Sequence, residues 1–239
     1  MSFFERPPVT LYLMRHGQSE ANVDKNVYRQ KPDHAIALTP LGLAQASEAG
    51  AFLAKHFDEK TSEAPCIILR SPYERARQTE ERVANAIQSH YSERVELPEL
   101  AEQQYGLFDG VPPDELEKTF PQEYNRYLLA QQQMGKFWAR PPQGEALFDV
   151  YNRARAAVHY IRYGYNKAKI NTYVIVAHAN WIRCFLMAWC NYPYEWIAEA
   201  RVPESCEIMK VVGHEIIGNV FAPIKPTHEA VHEPAGRVQ

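Results

Sequence analysis

Three short apolar runs each lead into residues able to hold or attack an anion. Val9 to Met14 runs into Arg15-His16-Gly17, Cys66 to Leu69 into Ser71-Pro72-Tyr73-Glu74-Arg75, and Thr172 to Ala177 into His178. Runs of this length read as buried strands. In an open α/β sheet, ligands collect beyond the carboxyl ends of the strands, so these groups can converge although they are far apart in sequence. Arg75 is informative by its place. A cation in the first turn of a helix faces the positive end of the helix dipole, at a cost of roughly 0.3–1 kcal/mol. A bound anion reverses that sign, because the helix N-terminus and the guanidinium then both grip it. Taken singly, each residue has a plainer reading: His178 as a packing histidine, Arg75 as a solvated charge, Glu102 as a surface carboxylate. Arg15-His16-Gly17 directly after a buried strand is the stronger signal.

The elements that must position these groups follow from pattern. Ser19 to His34 is polar and irregular and reads as a loop. Thr39-Pro40 opens a helix, Thr as N-cap and Pro at its first position. Ser71-Pro72-Tyr73-Glu74 reads as a capping box for a helix reaching about Ser89. Val95 to Leu97 is a candidate short strand, and Gly106 to Pro113 is rich in turn residues. Helices are expected near 114–133 and 145–169, parted by Arg140-Pro141-Pro142, and a buried one over Asn180–Cys190. Cys206–Val212 and Ile216–Ala222, either side of Gly213-His214-Glu215, read as two late strands. Strands alternating with helices predict an α/β fold: three α/β/α layers, a mostly parallel central sheet and helices on both faces. One domain is expected over 1–222, followed by a loose, proline-containing polar tail over 223–239.

Composition narrows the class. The chain has 239 residues, 46% hydrophobic and 23% charged, with a net charge of -3 and no basic run, so neither nucleic acid nor an acidic membrane surface is an expected partner. No apolar run is long enough to span a bilayer, and the N-terminus lacks the features of a signal peptide. Cys66, Cys184, Cys190 and Cys206 form no CxxC pair and suit reduced thiols in a cytoplasmic protein. His228 and His232 have helical metal-ligand spacing but sit among prolines in the tail, where exposed histidines are the expectation.

Together these segments resemble the histidine phosphatase superfamily, in its phosphoglycerate-mutase-like branch, of the broad-range acid phosphatase type. The matching blocks are Leu13 to Asn22 (LMRHGQSEAN), Leu38-Thr39-Pro40-Leu41-Gly42 with Gln45-Ala46, and Ser71 to Thr79 (SPYERARQT). Glu102-Gln103-Gln104-Tyr105-Gly106, Pro142-Gln143-Gly144-Glu145 with Arg153, and Val176 to Arg183 (VAHANWIR) complete the set. The resemblance implies a phosphoglycerate-mutase-like fold and a phosphatase that carries a phosphoryl group on His16. It implies Glu102 as proton donor, Arg15, Arg75 and His178 as the phosphate cradle, and Asn22, Tyr105 and Asn180 on the substrate side. It implies neither cofactor nor metal, and a small phosphorylated metabolite or other phosphomonoester as substrate. His16 must then attack as a neutral imidazole, its second nitrogen held by a hydrogen bond.

The chain departs from the family pattern at Ala179, where Gly is usual, and at Ala146, where Ser is frequent. Mutases of the family carry further cations for the substrate's carboxylate. One is a Lys after the Tyr-Gly stretch, where Leu107 to Pro113 (LFDGVPP) has neither Lys nor Arg; others precede the double proline, where only Lys136 and Arg140 come near. Hydrolysis is therefore expected over phosphomutase activity, with a catalytically silent phosphate-binding module as a further alternative. The segment 24–34 brings Lys25, Arg29 and Lys31 close to the nucleophile in sequence; it reads either as a solvated basic loop or as a lid selecting anionic substrates.

Overall fold

The computed structural model describes residues 8–59, 65–168 and 170–223, with backbone alone at 166–168. The strands are β1 (Thr10–Arg15), β2 (Cys66–Arg70), β3 (Tyr91–Glu96), β4 (Thr172–Ala177), β5 (Ile208–Val212) and β6 (Glu215–Phe221); β3 starts ahead of the short strand expected over Val95–Leu97, in a mostly polar stretch, and ends before Leu97. They form one six-stranded sheet in the order β3-β2-β4-β1-β5-β6. β1 to β4 pair in parallel, whereas β5 pairs antiparallel with β1 and β6 antiparallel with β5, so the sheet is mostly parallel, as expected. The central strands are buried along nearly their whole length, as strands covered on both faces must be.

The helices are α1 (Glu20–Val23), α2 (Pro40–Asp58), α3 (Glu74–Ala86), α4 (Leu116–Thr119), α5 (Pro121–Met134), α6 (Leu147–Ala168), α7 (Ala179–Cys190) and α8 (Trp196–Glu199). Side chains alternate along each strand and divide the core. Tyr12, Met14, Ile68, Val174 and Val176 pack on Ala46, Leu53 and Phe57 of α2 and on Ala76 and Val83 of α3. Leu11, Leu13, Leu69, Tyr173 and Ile175 pack on Val150, Ala154 and Ile161 of α6 and on Trp181 and Phe185 of α7.

This division fixes where the site lies. β1 leads to α2 on one face of the sheet, while its neighbour β4 leads to α7 on the other. The crevice beyond their carboxyl ends is a topological switch point. β1 and β4 pair in register, with Arg15 opposite Ala177, so His16 and His178 are the first residues beyond each strand.

Local chemistry explains the helix starts and corrects several expectations. Thr39 caps α2, its Oγ1 accepting from the Gly42 N–H at 3.0 Å, with Pro40 in the first turn. A capping box at Ser71–Glu74 does not form. α3 starts at Glu74 behind Tyr73, which offers no side-chain cap, and ends at Ala86; Ser71 is drawn to His178 instead. Ser19–His34 is more regular than a loop. Ser19 and Asn22 make the capping box of α1, and short 3-10 turns cover Lys25–Arg29 and Asp33–Ala35. The helix expected over 114–133 is broken at Phe120-Pro121, since proline has no N–H to continue it. The late strand expected from Cys206 begins at Ile208; Cys206 has φ +53° and its N–H reaches Arg15 O at 3.0 Å. The tail expected over 223–239, with His228 and His232, lies outside the described residues from position 224.

Candidate active site

His16 is 4% exposed. Its backbone N–H bonds Ala177 O at 3.0 Å, continuing the β1–β4 ladder one residue past the strand. Its Nδ1 donates to Gly17 O at 2.7 Å, which leaves Nε2 as the lone-pair nitrogen. Gly17 is required by close approach: a Cβ there would lie 2.5 Å from Gly42 O at the start of α2. The Gly17 N–H in turn donates to Thr79 Oγ1 at 3.0 Å, and Thr79 donates to Arg75 O at 2.7 Å, which ties the loop after β1 to α3. Burial, helped by the charges of Arg75 and Arg15, holds the His16 pKa well below the ordinary 6.5. The ring is thus neutral at physiological pH.

The His178 ring lies 5.1 Å from that of His16, centroid to centroid. Its Nε2 is 2.7 Å from Ser71 Oγ, and its buried Nδ1 has no partner. Desolvation by burial, then Arg75, holds its pKa low as well. Arg15 reaches Pro203 O through Nη1 at 3.0 Å, while its buried Nε is also unpartnered. An orphaned buried polar group costs about 1–3 kcal/mol. Among the described residues three such side-chain atoms occur: Arg15 Nε, His178 Nδ1 and Arg183 Nε. Two of them therefore belong to residues that flank the His16 ring in sequence or in space. α3 and α7 both begin in this crevice without a side-chain cap, which brings their positive dipole ends to it; the Asn180 N–H at the start of α7 donates to the Glu102 carboxyl.

Glu102 lies within electrostatic reach of both Arg15 and Arg75; its Oε1 accepts from the Gln103 N–H at 2.9 Å. Burial raises its pKa above the usual carboxylate value against the pull of that N–H and of the two arginines. Arg153 holds the segment in place, donating to the carbonyls of Glu99 (2.9 Å), Ala101 (2.8 Å) and Glu102 (3.3 Å) and pairing with Glu145 at 2.8 Å. Asn180 Nδ2 bonds Gln103 Oε1 at 2.9 Å and Tyr105 OH at 3.0 Å, so two of the three expected substrate-side residues touch each other. Burial pushes the Tyr105 hydroxyl up to about 12, which keeps it a neutral donor. Asn22 is exposed, with Oδ1 turned to Ser19 as part of the α1 cap.

The structure thus gathers Arg15, His16, Arg75, Glu102 and His178 into one charged neighbourhood at the switch point. The basic segment separates. Lys31 pairs with Glu20 at 2.8 Å and Arg29 with Glu115 at 3.7 Å, whereas Lys25 is near enough for Arg15 and Arg75 to help lower its pKa, after desolvation. Sequence reasoning missed Asp33, which binds Arg75 directly, and Ser71 as the partner of His178. Nothing in the pattern of a polar segment says which charge its acidic residue will meet.

Residues 11–215 match the family model described as histidine phosphatase superfamily (branch 1). The phosphoglycerate mutase-like protein AT74 of Arabidopsis thaliana is 30% identical over 211 residues, covering 84% of this chain and 64% of its own length. This chain thus spans somewhat less than two thirds of that relative. The 2,3-bisphosphoglycerate-dependent phosphoglycerate mutase of Bartonella henselae is 31% identical over 185 residues, 75% of this chain and 80% of its own. Among solved structures, a mycobacterial glucosyl-3-phosphoglycerate phosphatase superposes with TM-score 0.65 at 22% identity, over 86% of this chain and 91% of that one.

Proposed function

We propose that this chain, which belongs to the histidine phosphatase superfamily, hydrolyses small phosphomonoesters through a phosphohistidine on His16. The observation that carries this reading is the pairing of a neutral imidazole, Nδ1 fixed and Nε2 free, with orphaned buried donors at Arg15 and His178. In the first step Nε2 attacks phosphorus, the ester P–O bond breaks, and protonated Glu102 gives its proton to the leaving alkoxide. In the second, water attacks phosphorus, the P–N bond breaks, and the Glu102 carboxylate takes the proton from water. Ser71 donating to His178 Nε2 would place the remaining imidazole proton on Nδ1, free to meet a phosphoryl oxygen. Arg15, Arg75 and His178 would hold the equatorial oxygens, on which charge accumulates in the transition state. Two guanidiniums and an imidazole supply the positive charge that a divalent ion supplies elsewhere, so the reaction is proposed to need no metal.

A phosphomutase reading has one observation in its favour, the similarity to phosphoglycerate mutases. Of the cations that could hold the substrate carboxylate, three are paired with carboxylates of this chain, and Lys25 alone of those in the 24–34 segment stays near Arg15 and Arg75. Arg140 pairs with Asp149 at 2.7 Å, and Arg29 and Lys31 pair outside the crevice. The test supplies 3-phosphoglycerate with a trace of 2,3-bisphosphoglycerate, and separately nitrophenyl phosphate, both in excess chelator. Phosphate release from nitrophenyl phosphate, outrunning isomerisation of the phosphoglycerate, is expected. Isomerisation ahead of phosphate release, or activity restored only by added Mg or Zn, would overturn the proposal.

A further inference from the structure

Arg75 is 4% exposed and stands in the first turn of α3, where its charge faces the positive end of the helix dipole. A buried cation in such a place needs a fixed counter-charge. Asp33 provides it twice over: Nη1 of Arg75 donates to Asp33 Oδ1 at 2.8 Å and to the Asp33 backbone carbonyl at 2.7 Å. Nη2 reaches Oδ2 at 3.4 Å. A guanidinium carries five N–H donors. Asp33 takes both on Nη1 and one on Nη2, which leaves Nε–H and the second Nη2–H. Those two are parallel and form the fork that matches two oxygens of a phosphoryl group. Neither is hydrogen-bonded to a described residue. The Tyr73 ring, 4.9 Å from the guanidinium carbon, fixes the plane of the fork.

The segment that delivers Asp33 is itself anchored. Lys31 pairs with Glu20 at 2.8 Å, and Leu38 N–H donates to Gln78 Oε1 on α3 at 2.8 Å. A Cβ at Gly110 would lie 2.5 Å from Tyr28 Cβ, so the Lys25–Arg29 turn rests directly on the loop that follows Tyr105.

We propose that Asp33 is a positioning residue: it grips the Nη1 side of Arg75 so that the Nε–Nη2 edge stays aimed at the phosphoryl group. This rests on the reading of the crevice as a phosphoryl-transfer site. The 24–34 segment then serves the site chiefly through Asp33 rather than through its basic residues.

A double-mutant cycle on the full chain tests the assignment, with kcat/KM for nitrophenyl phosphate and the inhibition constant of orthovanadate as readouts. Asp33→Ala should lower kcat/KM on the order of 10–100-fold, the scale of a misplaced catalytic group, and weaken vanadate binding in step. In an Arg75→Ala background the same substitution should add almost nothing, because Asp33 acts through Arg75. Asp33→Asn, which keeps an oxygen acceptor and the backbone carbonyl, should lose less; it carries the comparison if the alanine variant does not fold. Tighter vanadate binding in Asp33→Ala would overturn the inference by making Asp33 a competitor of phosphate. So would losses that multiply in the double variant, or activity equal to wild type. A wild-type protein that neither turns over nitrophenyl phosphate nor binds vanadate would instead remove the phosphatase reading itself.

Discussion

His16 and Glu102 are pushed in opposite directions by the same cause. Burial keeps the imidazole neutral by lowering its pKa well below 6.5, and keeps the carboxyl protonated further up the pH scale by raising its pKa above 4.5. The proposed nucleophile His16 therefore stays neutral as pH falls through the ordinary histidine value, and the proposed acid Glu102 loses its proton as pH rises through its raised pKa. For an alkyl phosphate, kcat/KM should fall on the alkaline side as Glu102 ionises. Glu102→Gln should remove that limb and slow turnover by about 10²–10⁴-fold, the usual size of general-acid catalysis. The loss should shrink for nitrophenyl phosphate, whose leaving group needs little protonation. A pH–rate series on both substrates checks this, and an equal loss on both would assign Glu102 another role. The histidines and Arg15 were legible in the sequence because each follows a recognisable buried strand. Asp33 was not, since its partner is chosen by how an irregular segment folds back. Ser71 was legible as polar but not in its role: helix-start chemistry and a hydrogen bond to His178 compete for one hydroxyl.

At the scale of elements, the strands could be read and the connections less so. VTLYLM, CIIL and TYVIVA are short, apolar and bounded by turn residues, and β1, β2 and β4 match them to within a residue. The 3-10 turns between Lys25 and Ala35 carry no periodic signal, because their backbone is satisfied locally rather than by a repeating pattern. The segment 99–102 is similar: it has little regular structure, yet Glu102 must be held still. Arg153 of α6 does this through three carbonyls and Glu145. Arg153→Ala should cost on the order of 1–3 kcal/mol, as expected when charged hydrogen bonds to a partly buried segment are lost. It should also lower kcat more than it raises KM. Arg153→Lys should recover little, because a lysine cannot reproduce the fork that reaches several carbonyls at once. Urea unfolding beside steady-state kinetics measures both; a variant as stable and as fast as wild type would show that the clamp is dispensable.

Across the whole molecule, charge is unevenly placed. The chain is net negative at -3, yet Arg15, Arg75 and Lys25 are concentrated beyond the carboxyl ends of β1, β2 and β4. The sheet order brings this about. β4 enters between β2 and β1, its following helix goes to the opposite face from α2, and the crevice that opens there receives residues from strands far apart in sequence. In the proposed mechanism an anion drawn into that crevice meets the buried His16, and the central step is a covalent bond to its Nε2. The direct measurement is to mix the protein with a phosphomonoester, quench rapidly into alkali, where phosphohistidine survives, and locate the phosphate by mass spectrometry of peptides. The account predicts phosphate on His16 in the wild type and in Glu102→Gln, with more accumulating in whichever variant hydrolyses the intermediate more slowly, and none in a folded His16→Ala. Turnover by His16→Ala at the wild-type rate, or phosphate on any residue other than His16, would contradict it.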